Sequence, residues 1–174
     1  DQQVVAFARF VLRRAPERVR GLVLMDTRAE ADTPEGRKGR EAAMALAREG
    51  GAAAIAESML PRILAPNTFA ENPALVERVR QMMASTPVSG ITGAIAALRD
   101  RPDSTPLLGR LSGTPTLVVV GEHDQITTAE NTRAMAQAIP GARFEVGKGA
   151  GHLPTLERPE STTALLGEFL AGLP

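Results

Sequence analysis

Two short segments of the sequence carry the side chains best suited to chemistry. Gly-Glu-His-Asp at 121–124 follows an apolar, β-branched run, and Gly-Ala-Gly-His at 149–152 is rich in glycine. A carboxylate and an imidazole on neighbouring loops can supply two members of a nucleophilic triad, in which the acid orients the imidazole and the imidazole deprotonates a serine or cysteine. Asp124 and His152 are therefore the candidate catalytic residues. A purely structural role for His152, as a loop cap, is the plainer alternative.

The nucleophile of such a triad is harder to find. The sequence contains no cysteine and no Gly-Xaa-Ser-Xaa-Gly, the elbow that presents a serine at the end of a strand. Ser89 stands in Val-Ser-Gly, but no strand pattern precedes it to build an elbow. The residues thus indicate an acid and a base and leave the attacking group open.

The sequence offers two alternatives to a site built on Asp124 and His152. Asp26 ends a second apolar run, Gly21 to Asp26, and is either a second acid or a loop residue that accepts backbone N–H bonds; we favour the loop role. The residue types of His123, Asp124 and His152 would also allow a metal site, but His123 is more simply a bystander. We predict no metal and no cofactor.

The elements around the two segments predict an α/β fold. Residues 117–120 are apolar without alternation, which is typical of a parallel strand covered on both faces. Such a strand places Asp124 just past its carboxyl end, where open α/β sheets bind ligands. Further strands are predicted at 21–26 and 142–146, with helices at 129–139 and from Pro159, so the strands and helices alternate. The first of these helices is predicted to begin with a capping box of Thr127 and Glu130.

The stretch from 27 to 112 is rich in alanine and shows no strand pattern. Helices are predicted at 34–49 with Thr33 as N-cap, at 52–60, from Pro73 with Asn72 as N-cap, and at 89–98. They read either as a lid over the site or as ordinary helix packing. The predicted organisation is a core of 1–26 and 113–174 with a helical cap at 27–112.

Composition limits the function classes. The 174 residues carry 20 basic and 20 acidic side chains, so no net charge favours binding to nucleic acid or anionic lipid. No apolar run approaches the roughly 18 residues of a membrane span, and the first residues lack a signal-peptide pattern. We therefore expect a cytoplasmic protein with neither nucleic-acid nor membrane partners.

At 121–124 and 149–152 the chain resembles the α/β-hydrolase superfamily, and the resemblance covers all 174 residues. Residues 4–27 look like the helix after the nucleophile elbow and the sixth strand. The resemblance implies a partial α/β-hydrolase fold of about three parallel strands with flanking helices and an inserted cap. It makes Asp124 the triad acid and His152 the triad base. The closest likeness is to lid-bearing esterases and enol-lactone hydrolases, which implies a small ester or lactone substrate.

The departure from that family lies at the first residues. In the family's register Asp1, Gln2 and Gln3 occupy the last three positions of Gly-Xaa-Ser-Xaa-Gly-Gly, which places the nucleophile before residue 1. One hypothesis is therefore a carboxyl-terminal part of a Ser-His-Asp ester or lactone hydrolase, nearly inert by itself. The other is a non-catalytic binding or interaction module derived from that fold. Either way strand 21–26 lacks one neighbour, which predicts a homodimer or an amino-terminal partner chain through it.

Overall fold

A computed structural model describes residues 14–174 and shows a parallel sheet of three strands in the order β1-β2-β3. The strands are β1 Leu22–Met25, β2 Thr116–Gly121 and β3 Arg143–Gly147. The middle strand, β2, is buried along its whole length, as its unbroken apolar run predicts. The predicted α/β class with three parallel strands is confirmed. Of residues 4–27, which resemble the helix after the nucleophile elbow and the sixth strand, those up to residue 13 lie outside the described residues.

Helices account for most of the remaining described chain. Between β1 and β2 lie α1 Pro34–Ile63, α2 Pro66–Glu71, α3 Pro73–Ala84, α4 Val88–Arg99 and α5 Thr105–Leu108, followed by a 3₁₀ turn at Gly109–Leu111. Helix α6 Ala129–Gln137 joins β2 to β3, and α7 Pro154–Glu157 and α8 Pro159–Ala171 follow β3. Within the described residues, none of these helices is long and apolar enough to cross a membrane.

The break predicted at Gly51 is confirmed. Two helical stretches meet there at a kink within α1, and Gly51 itself adopts a non-helical φ of 72° and ψ of −174°. Glycine reaches this left-handed region without a steric penalty, so the chain bends and the helix resumes. The predicted caps are confirmed, since Thr33 accepts from the Gly36 N–H and Asn72 accepts from the Leu75 N–H.

The predicted capping box before α6 is wrong by one residue. Thr128, not Thr127, caps the helix and accepts from the Asn131 N–H. The hydroxyl of Thr127 is buried and donates instead to Asp124 at 2.6 Å. The helix begins at Ala129, so Thr128 occupies the cap position and accepts from a backbone N–H, while Thr127 lies one residue outside the cap and uses its hydroxyl as a donor.

Two apolar clusters stabilise the molecule. The first packs Val118 of β2 against Met135, Ile139, Leu108 and Leu111. The second lies within the helical insertion, by which we mean residues 27–112, and its buried members are Leu60, Ile63, Leu64, Leu75, Val76 and Val79. Ile126, Leu153 and Leu156 pack against the second cluster from the loops that follow β2 and β3. The insertion therefore contacts both loops that carry the candidate catalytic residues.

The two ends of the helical insertion are joined at Asp32. Three arginines surround its buried carboxylate: Arg28, Arg40 and Arg101. Arg101 comes from the far end of the insertion, and beside it the Ser104 N–H donates to the Ala29 carbonyl at 2.8 Å. Burial alone would raise the pKa of Asp32, but the hydrogen bond and charge of Arg40, with the other arginines, hold that pKa below its usual value.

Candidate active site

The loops after β2 and β3 meet because Gly121 has no side chain. A Cβ at Gly121 would lie 1.8 Å from the Gly151 carbonyl oxygen, which no real side chain tolerates. The loops are also joined by the His123 N–H, which donates to the Ala150 carbonyl at 2.8 Å. This close approach brings the two sequence segments together at the carboxyl ends of adjacent strands, where the α/β pattern predicts a site.

Asp124 is a buried acid whose two oxygens are fully engaged. Its Oδ1 accepts from the backbone N–H groups of Ile126 at 2.7 Å and Thr127 at 3.0 Å. Its Oδ2 accepts the Thr127 hydroxyl and lies 2.8 Å from Nδ1 of His152. Burial would raise the pKa of Asp124, but the hydrogen bonds from His152 and Thr127 outweigh it and lower the pKa to about 2. Asp124 is therefore ionised at neutral pH.

His152 is held at both its backbone and its ring. The backbone N–H donates to the Ile63 carbonyl at 2.7 Å, and the ring contacts Asp124 through Nδ1. Because Asp124 is ionised and can only accept, Nδ1 carries the proton and Nε2 keeps a lone pair. In the part of the chain that the structure describes, the ring makes no further hydrogen bond, and its side chain is 26% exposed. Nε2 is thus the basic atom available to a reactant.

The charge state of His152 reflects opposing effects. Burial disfavours the imidazolium and is the largest single influence, but the hydrogen bond and charge of Asp124 together exceed it. Asp26 and Glu157 add smaller attractions, so the pKa of His152 is raised above its ordinary value. This favours the protonated ring that forms when the base accepts a proton.

Asp26 lies beside this pair and has an unusual backbone. It adopts φ 46°, a left-handed conformation that is uncommon outside glycine, asparagine and aspartate. Its Oδ1 accepts from the Gly121 N–H at 3.0 Å, which is the loop role favoured from the sequence. Its carboxylate also lies within 4.8 Å of the ligand atoms of Asp124 and His152. Burial, with the nearby charge of Asp124, raises the pKa of Asp26 to about 7 against the opposing effects of the Gly121 N–H and His152.

His123 does not join the group. Its ring is 42% exposed, and its Nε2 lies 3.8 Å from the exposed Glu122 carboxylate. Among the described residues, the acid and histidine side chains close enough to share an ion are Asp26, Asp124 and His152. The oxygens of Asp124 already accept from four donors, however, so this arrangement suits a proton network better than a metal.

Two polar residues of the site are not predicted from the sequence. The sequence places Thr127 at the cap of α6. An acid followed three residues later by threonine is nevertheless a pattern in which the acid's side chain closes a local turn. Glu157 had no distinguishing signal, yet it is only 5% exposed and accepts hydrogen bonds beside His152. Ser89 lies in the first turn of α4 and has no hydrogen bond to His152.

Comparison with known proteins identifies the family. A family model described as the alpha/beta hydrolase fold matches residues 6–159. The chain belongs to the alpha/beta hydrolase fold family. The partial α/β-hydrolase fold expected from the resemblance is therefore confirmed, with three parallel strands and flanking helices.

Two solved enzymes superpose closely on the chain. A thermophilic esterase from Thermogutta terrifontis is 42% identical with a TM-score of 0.86, over 92% of this chain and 58% of that one. The enol-lactonase from Burkholderia xenovorans LB400 is 28% identical with a TM-score of 0.81, over 92% of this chain and 60% of that one.

A curated relative is likewise an enol-lactonase. The 3-oxoadipate enol-lactonase 1 of Acinetobacter baylyi is 32% identical over 103 residues, which are 59% of this chain and 38% of the relative. The chain therefore spans less than two thirds of the length of each of these three proteins.

Proposed function

We propose that this α/β-hydrolase acts on carboxylic esters or lactones, with His152 as general base and Asp124 as the acid that orients it. The observation that carries the proposal is the 2.8 Å contact between Nδ1 of His152 and Oδ2 of Asp124, which leaves Nε2 open. Similarity to an esterase and to enol-lactonases supports ester or lactone bonds as the substrate class.

The geometry suits acyl transfer to a serine. A serine hydroxyl would attack the substrate carbonyl carbon as its proton moves to Nε2, and Asp124 would stabilise the imidazolium through Nδ1. The same proton would then pass to the departing alkoxide, and a water deprotonated at Nε2 would hydrolyse the acyl ester. The 174 residues contain no Gly-Xaa-Ser-Xaa-Gly, so we assign the serine and the oxyanion donors to sequence outside them.

We also assign the helical insertion as the cap of this site. Its apolar cluster includes Ile126 from the loop of Asp124 and Leu153 from the loop of His152. An insertion packed on both loops would exclude water from the reacting groups and line the substrate pocket. At its carboxyl-terminal end, Leu108 and Leu111 pack with the sheet, which joins the proposed cap at 27–112 to the core.

A chimera tests the base directly. The chain is substituted for the matched 58% of the Thermogutta esterase, and hydrolysis of p-nitrophenyl acetate is measured. We expect an active chimera in which His152→Ala lowers kcat/KM by about 10³-fold or more, because the serine loses its base. His123→Ala is the matched control and should leave kcat/KM unchanged.

The 174-residue chain by itself, not joined to any part of the esterase, provides the second control. Because it contains no serine elbow, we expect it to hydrolyse the ester no faster than its own His152→Ala variant. A folded chimera whose activity survives His152→Ala would contradict the proposed role of the histidine.

A further inference from the structure

The carboxylate of Glu157 joins two parts of the molecule at a buried position. Its Oε1 accepts from the Gly151 N–H at 2.8 Å and from the Leu153 N–H at 3.4 Å, on either side of His152. Its Oε2 accepts from the Ala65 N–H and the Thr68 hydroxyl, both at 2.7 Å. One oxygen therefore faces the histidine loop and the other faces the helical insertion.

The histidine loop and the insertion are in direct backbone contact around this carboxylate. The His152 N–H donates to the Ile63 carbonyl at 2.7 Å. A Cβ on Gly151 would lie 2.6 Å from the Ile63 oxygen and 2.8 Å from the Ala65 nitrogen, so a side chain there has no room. The peptide of His152 thus rests on residues 63–65, and any shift of this segment moves the histidine.

Weaker contacts surround this junction at the surface. Arg158 pairs with Glu71 at 2.9 Å, and the Asn67 side chain lies 3.4 Å from the Gly149 carbonyl. Exposed ion pairs contribute little to stability. A buried hydrogen-bonding group that loses its partner, whether donor or acceptor, keeps its full desolvation cost. Glu157 is therefore the contact on which the junction depends.

We propose that Glu157 is a positioning residue for His152, fastening the histidine loop to the helical insertion so that the imidazole stays directed at Asp124. A carboxylate is suited to this because four donors converge on it and each oxygen accepts from two of them. A glutamine in place of Glu157 has a single acceptor oxygen, and its NH₂ group would face two of the four donors. Aspartate keeps the charge but is shorter by one methylene.

The test reads the hydrogen bond of the histidine in the 174-residue chain. A proton on Nδ1 that is bonded to a carboxylate gives an NMR signal far downfield of the backbone amides. We expect Glu157→Gln and Glu157→Asp both to weaken or abolish that signal for His152. We also expect both to speed hydrogen exchange of the Gly151 amide about tenfold or more, since the amide loses its acceptor. Glu160→Gln, an exposed change in the next helix, is the control.

The pair of variants separates position from charge. Glu157 also attracts the imidazolium through space, so a loss of charge alone would shift the His152 titration and leave the Nδ1 proton signal in place. A wild-type signal in either variant overturns the proposal. If neither variant folds, Thr68→Val is the deciding variant, because it removes one hydrogen-bond donor to Glu157 without changing any charge. Faster exchange of the Gly151 amide with a weakened Nδ1 signal then supports the proposal. Unchanged exchange and an unchanged signal overturn it.

The importance of this positioning for catalysis rests on the proposed function. The NMR measurements on the Nδ1 proton and the Gly151 amide do not depend on it. An inactive chimera together with an Nδ1 signal lost in both Glu157 variants would reject ester hydrolysis and retain the positioning role. An active chimera together with an unchanged Nδ1 proton signal in the Glu157 variants would support ester hydrolysis and reject the positioning role.

Discussion

At the scale of single residues, the site combines two buried carboxyl groups, Asp124 and Glu157, with the half-buried carboxyl group of Asp26. Asp124 is held ionised by the donors around it, whereas Asp26 has fewer donors and lies beside a like charge. Glu157 accepts from the backbone on two sides of a junction. Environment rather than residue type therefore decides which carboxyl group is ionised beside His152, and this explains why the sequence alone left Asp26 and Asp124 as rivals.

The pH dependence of stability should reveal Asp26. Its pKa rises from 3.8 to about 7 on folding, so its contribution to stability is fully present below pH 3.8 and is lost as pH rises through 7. Asp26→Asn keeps an acceptor for the Gly121 N–H, tolerates the left-handed backbone and removes the buried charge. We expect the variant to gain about 1–3 kcal/mol in unfolding free energy above pH 7, after allowing for coupling to Asp124 and His152.

Urea unfolding at intervals from pH 4.5 to 8 measures this gain. It should grow between pH 4.5 and 7 and then level off, because Asp26 is ionised only in the unfolded chain over that interval. Glu30→Gln, an exposed change in the same connection, should show no such trend. A gain that is constant with pH, or greatest in acid, would contradict the raised pKa of Asp26.

At the scale of secondary-structure elements, the helical insertion has its two ends joined to each other and its middle joined to the segment that follows His152. Asp32 and Arg101 join the ends, and Glu157 holds the segment at Ala65. Between them the helices pack on their own apolar cluster. The ends are therefore held together within the insertion, and the insertion cannot move as one body away from the histidine loop without breaking the buried contacts of Glu157.

The junction at Asp32 can be tested by a double-mutant cycle. Asp32→Asn leaves three arginines without their carboxylate, and we expect a loss of about 2 kcal/mol in unfolding free energy. The value is below that of a fully buried pair because the arginines are partly exposed. Combining it with Arg101→Gln should give a coupling of about 1 kcal/mol, measured by urea unfolding. Strict additivity would show that the two ends are not joined through this pair, and Glu49→Gln serves as the exposed control.

The sequence predicts these elements unevenly, for physical reasons. Local signals such as the buried run of β2 and the caps Thr33 and Asn72 act within a few residues, and these predictions are confirmed. Helix α2 and the Glu157 junction depend on contacts between residues about 90 apart in sequence, which no local pattern encodes. The Thr127 prediction is wrong for a local reason, because Thr127 and Thr128 are adjacent candidates for the cap and Thr127 donates its hydroxyl to Asp124, three residues before it.

At the scale of the whole molecule, the open side of β1 remains to be explained. Within residues 14–174 this strand bonds only to β2, and its four residues are all partly exposed. The Leu22 N–H donates to the Pro115 carbonyl, just before β2, at 2.9 Å, and the Asp26 N–H donates to the Val119 carbonyl of β2 at 3.0 Å. By the alternation of a strand, the N–H groups of Val23 and Met25 therefore point away from β2. Leu22 and Leu24 pack into the apolar cluster of the sheet. The open edge contains neither proline nor lysine, the residues that commonly protect such edges.

We expect the 174-residue chain to form a homodimer in which two β1 strands pair across a two-fold axis, unless a partner chain occupies the edge. Val23→Pro removes an outward N–H and leaves the bonds to β2 in place, so it should shift the mass in sedimentation equilibrium toward the monomer with the fold retained. Leu24→Pro removes an N–H that points toward β2 and should unfold the chain instead, which makes it the matched control. A wild-type chain that stays monomeric at high concentration, with Val23→Pro indistinguishable from it, would show that the edge of β1 is covered within the chain itself.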